Sequence, residues 1–492
     1  MLRRIRLWGW LAGMACLSNA LAADLLIDNV TLVSPHLASP LSNRHVLIRE
    51  GRIARISDQA IAAKGVQRID ARGKFLTPGL MDSHVHVTDP AALGMDPDPA
   101  MSALREAYFR QQPRSYLYFG VTQLLDLNGL PQGITTFNAQ PRHPDLFRCI
   151  GVTALDGYPS AFADKPIRYQ LMPTYVFEPA NAAEHPMPAG EDPAAHTPEA
   201  VVNSIAVTDA RCVKIFIESG FGSFKWPTLS AATLKRIRDA AQLRGLLTIA
   251  HANSLAAQQM ALEAKVDVIA HGLWNWQDSS DQPEVPAPIA THLRNIHTQH
   301  VGYQPTLRVL YATADLFRAD TLKDPVYAKV VPPAVLAWYG TEAGQWFKQS
   351  LRQDAGGIPD TKLMQIYFQV GERGMRAARY LHRLGHPLLL GSDTPSSPTY
   401  GNQPGYDTYR EMRLMAQAGI PLAAILQAGT LNNARQFQLD QDYGTVEPGK
   451  VANLLLLGAN PLTTILAWNQ IDKVILRGEA IERETLVASK PQ

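Results

Sequence analysis

Eight short apolar runs, separated by stretches with helical periodicity, occupy the middle of the chain and restrict its fold more than any other feature. Examples are LLTIAHA, VDVIAHG and PLLLGSDT. Between two such runs, residues 229–243 place Leu234, Ile237 and Ala241 on one helical face behind a Ser230 cap. Strands that alternate with helices form parallel sheets with right-handed crossovers. The pattern predicts an α/β fold with a closed (β/α)8 TIM-like barrel, and an open doubly wound sheet is the alternative.

The two ends of the chain have a different pattern, made of short β-type runs separated by turns. LLIDNVTLV and HVLIREGRIARI lie near the amino end, and VANLLLLG and KVILRGEAIE lie near the carboxyl end. We therefore expect residues 23–76 and 440–485 to form one small β-sandwich, built from both chain ends. Residues 77–439 would form the barrel, with insertions near 169–198 and 306–359.

The second insertion carries several large aromatic residues. Trp338, Tyr339, Trp346 and Phe347 occur within residues 306–359. Long segments that follow barrel strands often cover an active site, but aromatic residues also form the core of an inserted helical subdomain. The sequence leaves both readings open.

The first 22 residues have the pattern of an export signal. Arg3, Arg4 and Arg6 precede an apolar run over residues 7–17, and small residues follow at Ala20-Leu21-Ala22. The apolar run is shorter than the roughly 20 residues that span a bilayer. Residues 1–22 are therefore predicted to be a cleaved signal peptide, and the mature protein is predicted to be periplasmic or secreted.

The charge of the mature chain excludes one class of partner. Removing residues 1–22 would change the formal charge from +2 to −1. A nearly neutral chain lacks the basic surface that nucleic acids require. We expect a small-molecule substrate, no nucleic acid and no membrane partner after cleavage, and the sequence leaves a homo-oligomer open.

Two cysteines remain after the predicted cleavage. Cys149 and Cys212 lie in the apolar contexts RCIGV and RCVKIF. Isolated cysteines in such runs are more often separate buried thiols than a disulfide, even in an exported protein. We therefore favour two unpaired thiols, and the sequence leaves a disulfide between them open.

Two histidines end the first barrel run, KFLTPGLMDSHVH. Side chains alternate along a strand, so His84 and His86 project to one side while Val85 points to the other. This places two imidazoles where one cation can bind both. A single H-x-H pattern also occurs by chance, so its meaning depends on the rest of the chain.

Four further ionisable residues lie at or near the carboxyl ends of other runs. They are Lys214 in RCVKIFIES, His251 in LLTIAHA, His271 in VDVIAHG and Asp393 in PLLLGSDT. Each has an ordinary explanation, such as a structural histidine, a helix cap or a solvated lysine. Barrel enzymes assemble their chemistry at the carboxyl ends of the strands, so the set together predicts a metal site.

These motifs resemble the amidohydrolase superfamily, in its two-metal branch with a lysine on the fourth strand, near prolidase-like and imidazolonepropionase-like members. The similarity includes TPGLMDSHVH, CVKIFIESG, IAHA, IAHG, LLGSDT and the closing stretch AGTLNNARQFQLDQDYGTVEPGKVANLLLL. The resemblance implies a distorted (β/α)8 barrel with a β-sandwich from both termini. It also implies a metal-ligand set of His84, His86, Lys214, His251, His271 and Asp393.

The resemblance further implies how the ligands divide and react. His84, His86 and Asp393 would hold one divalent ion, and His251 and His271 the second. Lys214, carboxylated by carbon dioxide, would bridge them as an anion. Histidine and carboxylate ligands suit zinc, and by ligand type they also allow manganese, iron or cobalt.

In this scheme the two ions would activate a shared water. Asp393 would pass its proton to the leaving amine. The implied reaction is hydrolysis of an amide, either peptide-like or in an N-acyl amino acid.

The residues that face the substrate depart from the resembled pattern. Relatives with peptidase activity often have Arg-Asp where this chain has Leu125-Asp126, and Gly-Gly-His where it has Asp156-Gly157-Tyr158. Tyr158 is therefore a candidate substrate contact.

Two further candidates lie in HVGYQPTLRV, near the end of the seventh run. Tyr303 could donate to an oxyanion, and Arg308 could hold a substrate carboxylate through two parallel hydrogen bonds. The alternatives are that Tyr303 packs in the barrel wall and that Arg308 is a solvated residue of the insertion.

Other functions on the same scaffold stay open. A cyclic amidase, lactonase or phosphotriesterase-like hydrolase would share the bridging lysine. A deaminase generally uses one metal and needs no such lysine, so Lys214 argues against it. A barrel that only binds ligands would not need all six ligand positions filled.

Overall fold

The computed structural model describes residues 24–94, 98–165, 167–220, 224–396 and 398–490. The predicted signal peptide, residues 1–22, lies outside them. Within the described residues, the chain forms two eight-stranded sheets and a set of helices that connect the strands of the second sheet.

The strands follow the chain in this order: β1 (Leu25–Leu32), β2 (Leu41–Arg49), β3 (Arg52–Ser57), β4 (Gln67–Asp70), β5 (Phe75–Pro78), β6 (Leu80–Val85), β7 (Val121–Asp126), β8 (Asp145–Ala154), β9 (Tyr175–Val176), β10 (Cys212–Phe216), β11 (Leu247–His251), β12 (Val268–Ala270), β13 (Gly302–Gln304), β14 (Leu454–Leu457), β15 (Ile471–Leu476) and β16 (Glu479–Glu482).

The α-helices are α1 (Pro99–Tyr118), α2 (Pro131–Asn138), α3 (Ile167–Leu171), α4 (Pro198–Ala206), α5 (Ala231–Leu243), α6 (Leu255–Glu263), α7 (Ala287–Thr298), α8 (Arg308–Asp315), α9 (Tyr327–Val330), α10 (Pro333–Tyr339), α11 (Trp346–Asp354), α12 (Asp360–Arg383), α13 (Tyr406–Gln417), α14 (Leu422–Gln427) and α15 (Asn433–Gln436).

The first sheet joins the two ends of the chain. Its strands run in the order β16-β15-β14-β5-β1-β2-β3, and β4 pairs with β1. The contact between the ends is the antiparallel pair of β14 with β5, in which Leu456 lies opposite Leu76. Both residues are buried in a core that also contains Leu25, Ile27 and Val46. The prediction of one small β-domain built from both termini is confirmed.

The second sheet is a nearly closed parallel barrel. Seven strands run in the order β13-β12-β11-β10-β8-β7-β6, and β9 extends from β8. The segment 388–394 takes the eighth position, since Leu388 bridges to Tyr303 in β13 and Thr394 bridges to Val85 in β6. Helices separate consecutive barrel strands, which confirms the predicted TIM-like barrel.

The passage from the first sheet into the barrel depends on Gly79. This residue separates β5 from β6, where the chain passes closely over β7. A Cβ atom at Gly79 would lie only 1.9 Å from Thr122 Oγ1. Only glycine allows this close approach, so the Pro78-Gly79 break in the sequence marks the boundary between the two sheets.

The barrel strands direct their side chains into one shared layer. Cys212 on β10 and Ile249 on β11 belong to a single buried apolar cluster with Met81 and Leu389. Lys214 and His251 lie two residues further along the same strands. Because side chains alternate along a strand, they point the same way as the residues of that cluster, nearer the carboxyl end.

Local sequence signals explain the connecting helices. Ser230 Oγ accepts a hydrogen bond from the Thr233 backbone N–H, which caps α5. Leu234, Ile237 and Ala241 are all buried along one face of this helix. The predicted stripe and cap are both confirmed.

The insertion at 306–359 packs as a group of helices, α8 to α11, beside the loop that follows β6. Tyr339 is fully buried, and its hydroxyl donates to the Ala91 carbonyl at 2.7 Å. Trp346 Nε1 donates to the Ala92 carbonyl at 2.9 Å. These contacts favour the reading of the aromatic residues as packing residues.

The two cysteines form a disulfide, so the expectation of separate thiols is wrong. Cys149 and Cys212 lie directly opposite each other on the paired strands β8 and β10, with Cα atoms 4.5 Å apart. The apolar context showed correctly that both are buried, but it could not show that the strands are neighbours in this register.

No helix in the described parts of the chain has both the length and the apolar character needed to cross a bilayer.

Candidate metal centre

Three of the predicted ligands converge where β6 meets the closing segment 388–394. His84 Nε2 and His86 Nε2 lie 3.0 and 2.9 Å from the same oxygen, Oδ1 of Asp393. One ligand atom from each residue lies within 4.8 Å of the other two. The alternation along β6 thus directs two imidazoles to one carboxylate, and together they offer two nitrogens and one oxygen to a cation.

Hydrogen bonds fix the orientation of His84. Its Nδ1 lies 3.1 Å from Gln304 Oε1 at the end of β13. The Gln304 amide is itself held, because its Nε2 donates to the carbonyl and the hydroxyl of Ser83, both at 2.8 Å. With Nδ1–H donating to Gln304, the Nε2 lone pair of His84 faces Asp393 and is available for a metal.

The second predicted pair lies beside the first. The ring centroids of His251 and His271 are 4.4 Å apart, and those of His84 and His271 are 4.9 Å apart. His271 Nδ1 lies 3.0 Å from Thr306 Oγ1, which again leaves Nε2 on the other side of the ring. Four histidines from three strands therefore surround one small volume.

Lys214 lies among these ligands without a hydrogen-bond partner. The residue is 1% exposed, and its Nζ has no hydrogen bond within the described residues. Burial lowers the pKa of Lys214 to about 7, although Asp393 acts in the opposite direction. A neutral amine is the form that adds carbon dioxide, and the resulting carbamate would supply the anionic oxygens that two ions require.

Other buried nitrogens of the cluster also lack partners. His84 Nε2 approaches Asp393 without the alignment of a hydrogen bond, and His251 Nε2 has no hydrogen bond among the described residues. Buried polar atoms are nearly always satisfied in folded proteins. Metal ions would satisfy these nitrogens, so the donor set present in the structure fits a centre with two ions.

The cluster strongly perturbs its own ionisation. Burial lowers the pKa of His84 to about 3, and the charge of Lys214 acts in the same direction. Burial would raise the pKa of Asp393, but the charge of His84 and the contacts with both histidines hold this pKa well below its usual range. Burial would lower the pKa of His86, but its contact with Asp393 raises it. A neutral His84 beside an ionised Asp393 has the protonation states that metal ligation needs.

Two residues of the cluster have strained backbones. His271 has φ of +80° and Asp393 has φ of +59°, both in the left-handed region that side chains other than glycine rarely adopt. Such conformations persist only where the surrounding structure enforces them, and they occur often at functional sites.

Sequence reasoning missed a carboxylate that supports His251. Glu218 is 8% exposed, and its Oε2 lies 3.6 Å from His251 Nε2. Asn253 Nδ2 donates to the same oxygen at 2.9 Å, and the Gly220 backbone N–H donates to the other oxygen at 3.0 Å. Glu218 lies just beyond the carboxyl end of β10, four residues after Lys214. This position at the end of a barrel strand was the sequence signal that could have identified it.

Asp82 is a second missed residue, and it connects the first three ligands. Its Oδ1 accepts the backbone N–H groups of His84 at 3.2 Å and Ser392 at 3.0 Å. Its Oδ2 accepts the hydroxyl groups of Ser392 at 2.5 Å and Thr408 at 2.6 Å. Asp82 thereby fixes β6 against the segment that carries Asp393.

The contacts of Arg308 correct its predicted role as a carboxylate clamp. Arg308 is 2% exposed, and its guanidinium is ion-paired with Asp315 and Asp407. It also donates to the Gly401 carbonyl at 3.0 Å. A substrate carboxylate would have to displace two buried partners, so Arg308 is neither the clamp nor the solvated residue of the alternative reading.

Tyr303 also has a different position from the one predicted for an oxyanion donor. It is fully buried, and its hydroxyl accepts the Leu273 backbone N–H at 2.7 Å. The alternative reading, packing within the barrel wall, describes Tyr303 correctly.

The structure brings the third substrate candidate, Tyr158, to the cluster. Its ring centroid lies 4.9 Å from that of His251. Burial raises the pKa of Tyr158, and the nearby charges of Asp393 and Glu218 raise it further, so the hydroxyl stays protonated. The position of Asp126, which faces the substrate in the resembled pattern, has a different environment here. Asp126 is fully buried, and its carboxylate accepts the backbone N–H of Val87 at 2.6 Å.

Comparison with known proteins identifies two kinds of relatives. Residues 350–481 match the sequence profile of the Amidohydrolase family. An L-hydantoinase from Paenarthrobacter aurescens is 35% identical over 66 residues, which cover 13% of this chain and 14% of the hydantoinase. The match therefore spans only a small part of that curated relative.

Similarity to solved structures extends over nearly the whole chain. A Xaa-Pro dipeptidase with bound methionine has a TM-score of 0.66 at 18% identity, and the similarity covers 94% of this chain and all of that one. A molinate hydrolase has the same TM-score and identity, with 94% and 96% covered. At these identities the two structures establish the fold.

Three observations agree: the family profile over residues 350–481, the barrel with its two-ended sheet, and the histidines and aspartate at the carboxyl ends of the strands. Residues 350–481 are therefore similar to the Amidohydrolase family, and the chain as a whole has the fold of the two solved hydrolases.

Proposed function

We propose that this chain is an exported hydrolase that uses two divalent metal ions to cleave the carbon–nitrogen bond of an amide. The observation that carries the proposal is the set of buried nitrogens without hydrogen bonds, on Lys214, His84 and His251, around an ionised aspartate. Export rests on the signal-like pattern of residues 1–22.

The ligands divide between two sites in this proposal. His84, His86 and Asp393 would hold one ion and His251 and His271 the other, and Lys214, carboxylated on its amine, would supply anionic oxygens to both. Nitrogen and oxygen donors of this kind favour zinc. When bound, the ions lower the pKa of water and polarise the substrate carbonyl.

Asp393 has the proton-transfer role. Its pKa is held well below the usual range, so it is ionised and can accept a proton from the attacking water. Its oxygen Oδ1 is positioned by the two histidines of β6 at 2.9 and 3.0 Å. The same carboxyl can then give the proton to the leaving nitrogen, which makes the amine a better leaving group.

Tyr158 takes the donor role that the sequence suggested for Tyr303. Its protonated hydroxyl lies near Asp393 and Glu218, and its ring contacts His251. A hydroxyl donor at this place can stabilise the negative charge that develops on the carbonyl oxygen.

The burial of Arg308 shifts the proposed substrate toward neutral amides. The residue expected to bind a free carboxylate is already paired with Asp315 and Asp407. A cyclic amide is therefore a second candidate beside a linear one, and the local similarity to an L-hydantoinase supports its inclusion.

The test combines metal content with a substrate panel. The mature chain, reconstituted with zinc and bicarbonate, should contain two ions per chain by elemental analysis. It should hydrolyse members of a panel of N-acyl amino acid amides, dipeptides and cyclic amides faster than lactones or phosphotriesters. One ion or none after reconstitution, or turnover of esters alone, would refute the proposal.

A further inference from the structure

A row of five aromatic side chains leads from the surface to the metal centre. We refer to these residues as the aromatic row: Tyr158, Phe162, Phe216, Phe224 and Trp226. Tyr158 contacts His251 with ring centroids 4.9 Å apart, and Phe216 contacts His251 at 5.9 Å. The row therefore touches the side of the centre to which His251 and His271 belong.

The rings contact each other without interruption. Trp226 lies 5.3 Å from Tyr158 and 5.2 Å from Phe162, measured between ring centroids. Phe224 stacks on Trp226 at 5.5 Å with an interplanar angle of 18°. These distances lie within the range of favourable aromatic pairs.

Exposure increases along the row with distance from His251. Phe216 is 7% exposed, whereas Phe224 and Phe162 are 42% and 58% exposed. Two large rings that stay partly in water, at the outer end of a row that reaches buried ligands, are typical of a binding surface for an apolar group.

Two separate loops build the row on the substrate side of the barrel. Tyr158 and Phe162 follow β8, whereas Phe224 and Trp226 follow β10. Loops that follow barrel strands lie at the carboxyl-end face, where the metal ligands also lie. Neither loop needs these aromatic residues to reach the next strand, so their convergence beside His251 points to a role in binding.

The charged residues near the first loop are already paired. Asp156 accepts hydrogen bonds from Lys165, Arg168 and Tyr169 at 2.8 to 2.9 Å, and it lies 3.1 Å from His185 Nδ1. These cationic side chains are therefore already neutralised by Asp156 and are not available to bind an anionic group of the substrate. The lining offers ring faces, which favour a flat and uncharged group.

We propose that the aromatic row is a substrate subsite that selects an aromatic ring, placed on the His251 side of the metal centre. The proposal rests on the proposed function and adds the chemical class of one substrate group. Offset stacking against Trp226 and Phe162 would hold the ring. An aromatic ligand should then bind about tenfold more tightly than a methyl analogue with the same metal-binding head.

The test uses two hydroxamates, which share a head that binds divalent ions. Calorimetry on the zinc-loaded protein should give benzohydroxamate a Kd about tenfold below that of acetohydroxamate. Trp226→Leu should weaken benzohydroxamate about tenfold and change acetohydroxamate less than twofold. Phe368→Leu, which removes an aromatic ring on α12, is the matched control and should change neither.

The possible failures are distinguishable. Equal affinities of the two hydroxamates in the wild type, or an unchanged preference in both Trp226→Leu and Phe162→Leu, would overturn the subsite. Binding of neither hydroxamate would contradict the metal centre instead. In that case benzamide and acetamide test the subsite without a metal, and equal quenching of tryptophan fluorescence by the two would overturn it.

Discussion

The barrel contains two clusters of buried charge that look alike in sequence and differ in structure. The metal centre contains Lys214 and His84 with nitrogens that lack hydrogen bonds. The other cluster, which we call the Arg308 cluster, consists of Arg308, Asp315, Asp407 and Arg410, and each of these residues is ion-paired. Burial of charge is therefore common to both, and only the unsatisfied donors distinguish a ligand site from a structural ion pair.

This difference follows from what each cluster must do. A structural ion pair is tolerated in the interior because each charge has a partner, and losing one partner leaves the other unpaired. A metal site must instead keep its donors available for an ion that is added after the chain has folded. The two clusters should therefore respond oppositely to substitution, in activity and in stability.

The largest effect is expected for Asp393→Asn. Removing the proton acceptor should lower kcat by about 10² to 10⁴-fold, the usual range for a general acid or base. The melting temperature should change little, because the amide can keep the contacts with His84 and His86. Steady-state kinetics and thermal denaturation check both parts.

Asp315→Asn, in the Arg308 cluster, is the matched control for that variant. It should destabilise the protein and leave the turnover of each folded molecule unchanged. Unchanged kcat in Asp393→Asn would remove this aspartate from the mechanism.

The next largest effect is on stability, and it should differ between Arg308 and Lys214 when each is replaced by methionine. Arg308→Met should lower the free energy of unfolding by about 3–5 kcal/mol, because two buried carboxylates, Asp315 and Asp407, would keep only Arg410 as their cationic partner. Lys214→Met should not destabilise the metal-free protein, because Nζ has no partner to lose. Urea denaturation of both variants measures the difference.

Arg308→Lys serves if the methionine variant does not fold, and it should lose part of the same stability. A substrate-dependent rise of KM for free acids in either Arg308 variant, at unchanged stability, would restore the carboxylate clamp.

Metal removal should affect only one of the two clusters. Zinc at 100 to 1,000 times its Kd should raise the free energy of unfolding by about 2.7 to 4.1 kcal/mol over the chelated protein. The increase should be much smaller in Lys214→Met and of normal size in Asp315→Asn. Identical melting curves of the wild type with zinc and with chelator would contradict the metal centre.

The smallest effect concerns the support of His251. Glu218→Gln should weaken one of the two ions by about 10 to 100-fold, because it removes a negative charge that lies 3.6 Å from His251 Nε2, beside the second ion. The ion held by His84 and His86 should keep its affinity. Competition with a chromogenic chelator resolves the two, and equal weakening of both ions would show that Glu218 acts on the whole fold.

The sequence by itself determined the architecture and the places of the ligands. Apolar runs with helices between them determine a parallel sheet that is covered by helices on its faces. Closure of this sheet into a barrel was favoured over an open doubly wound sheet, and the bridges of segment 388–394 to β13 and β6 decided it. The alternation along a strand then fixes that His84 and His86 share a side. Lys214 lies within β10 and His251 ends β11, so the barrel topology places both toward the carboxyl-end face.

The partners of individual side chains were decided only by the tertiary structure. Arg308 pairs with Asp407, 99 residues away, and Cys149 pairs with Cys212, 63 residues away. A strand or helix pattern fixes the face of the element on which a side chain lies. Which side chain it then bonds to depends on the elements that pack beside it. This is why the candidate ligands chosen from the sequence lie in one cluster, whereas the substrate roles suggested for Arg308 and Tyr303 do not fit their buried contacts and Glu218 beside His251 was missed.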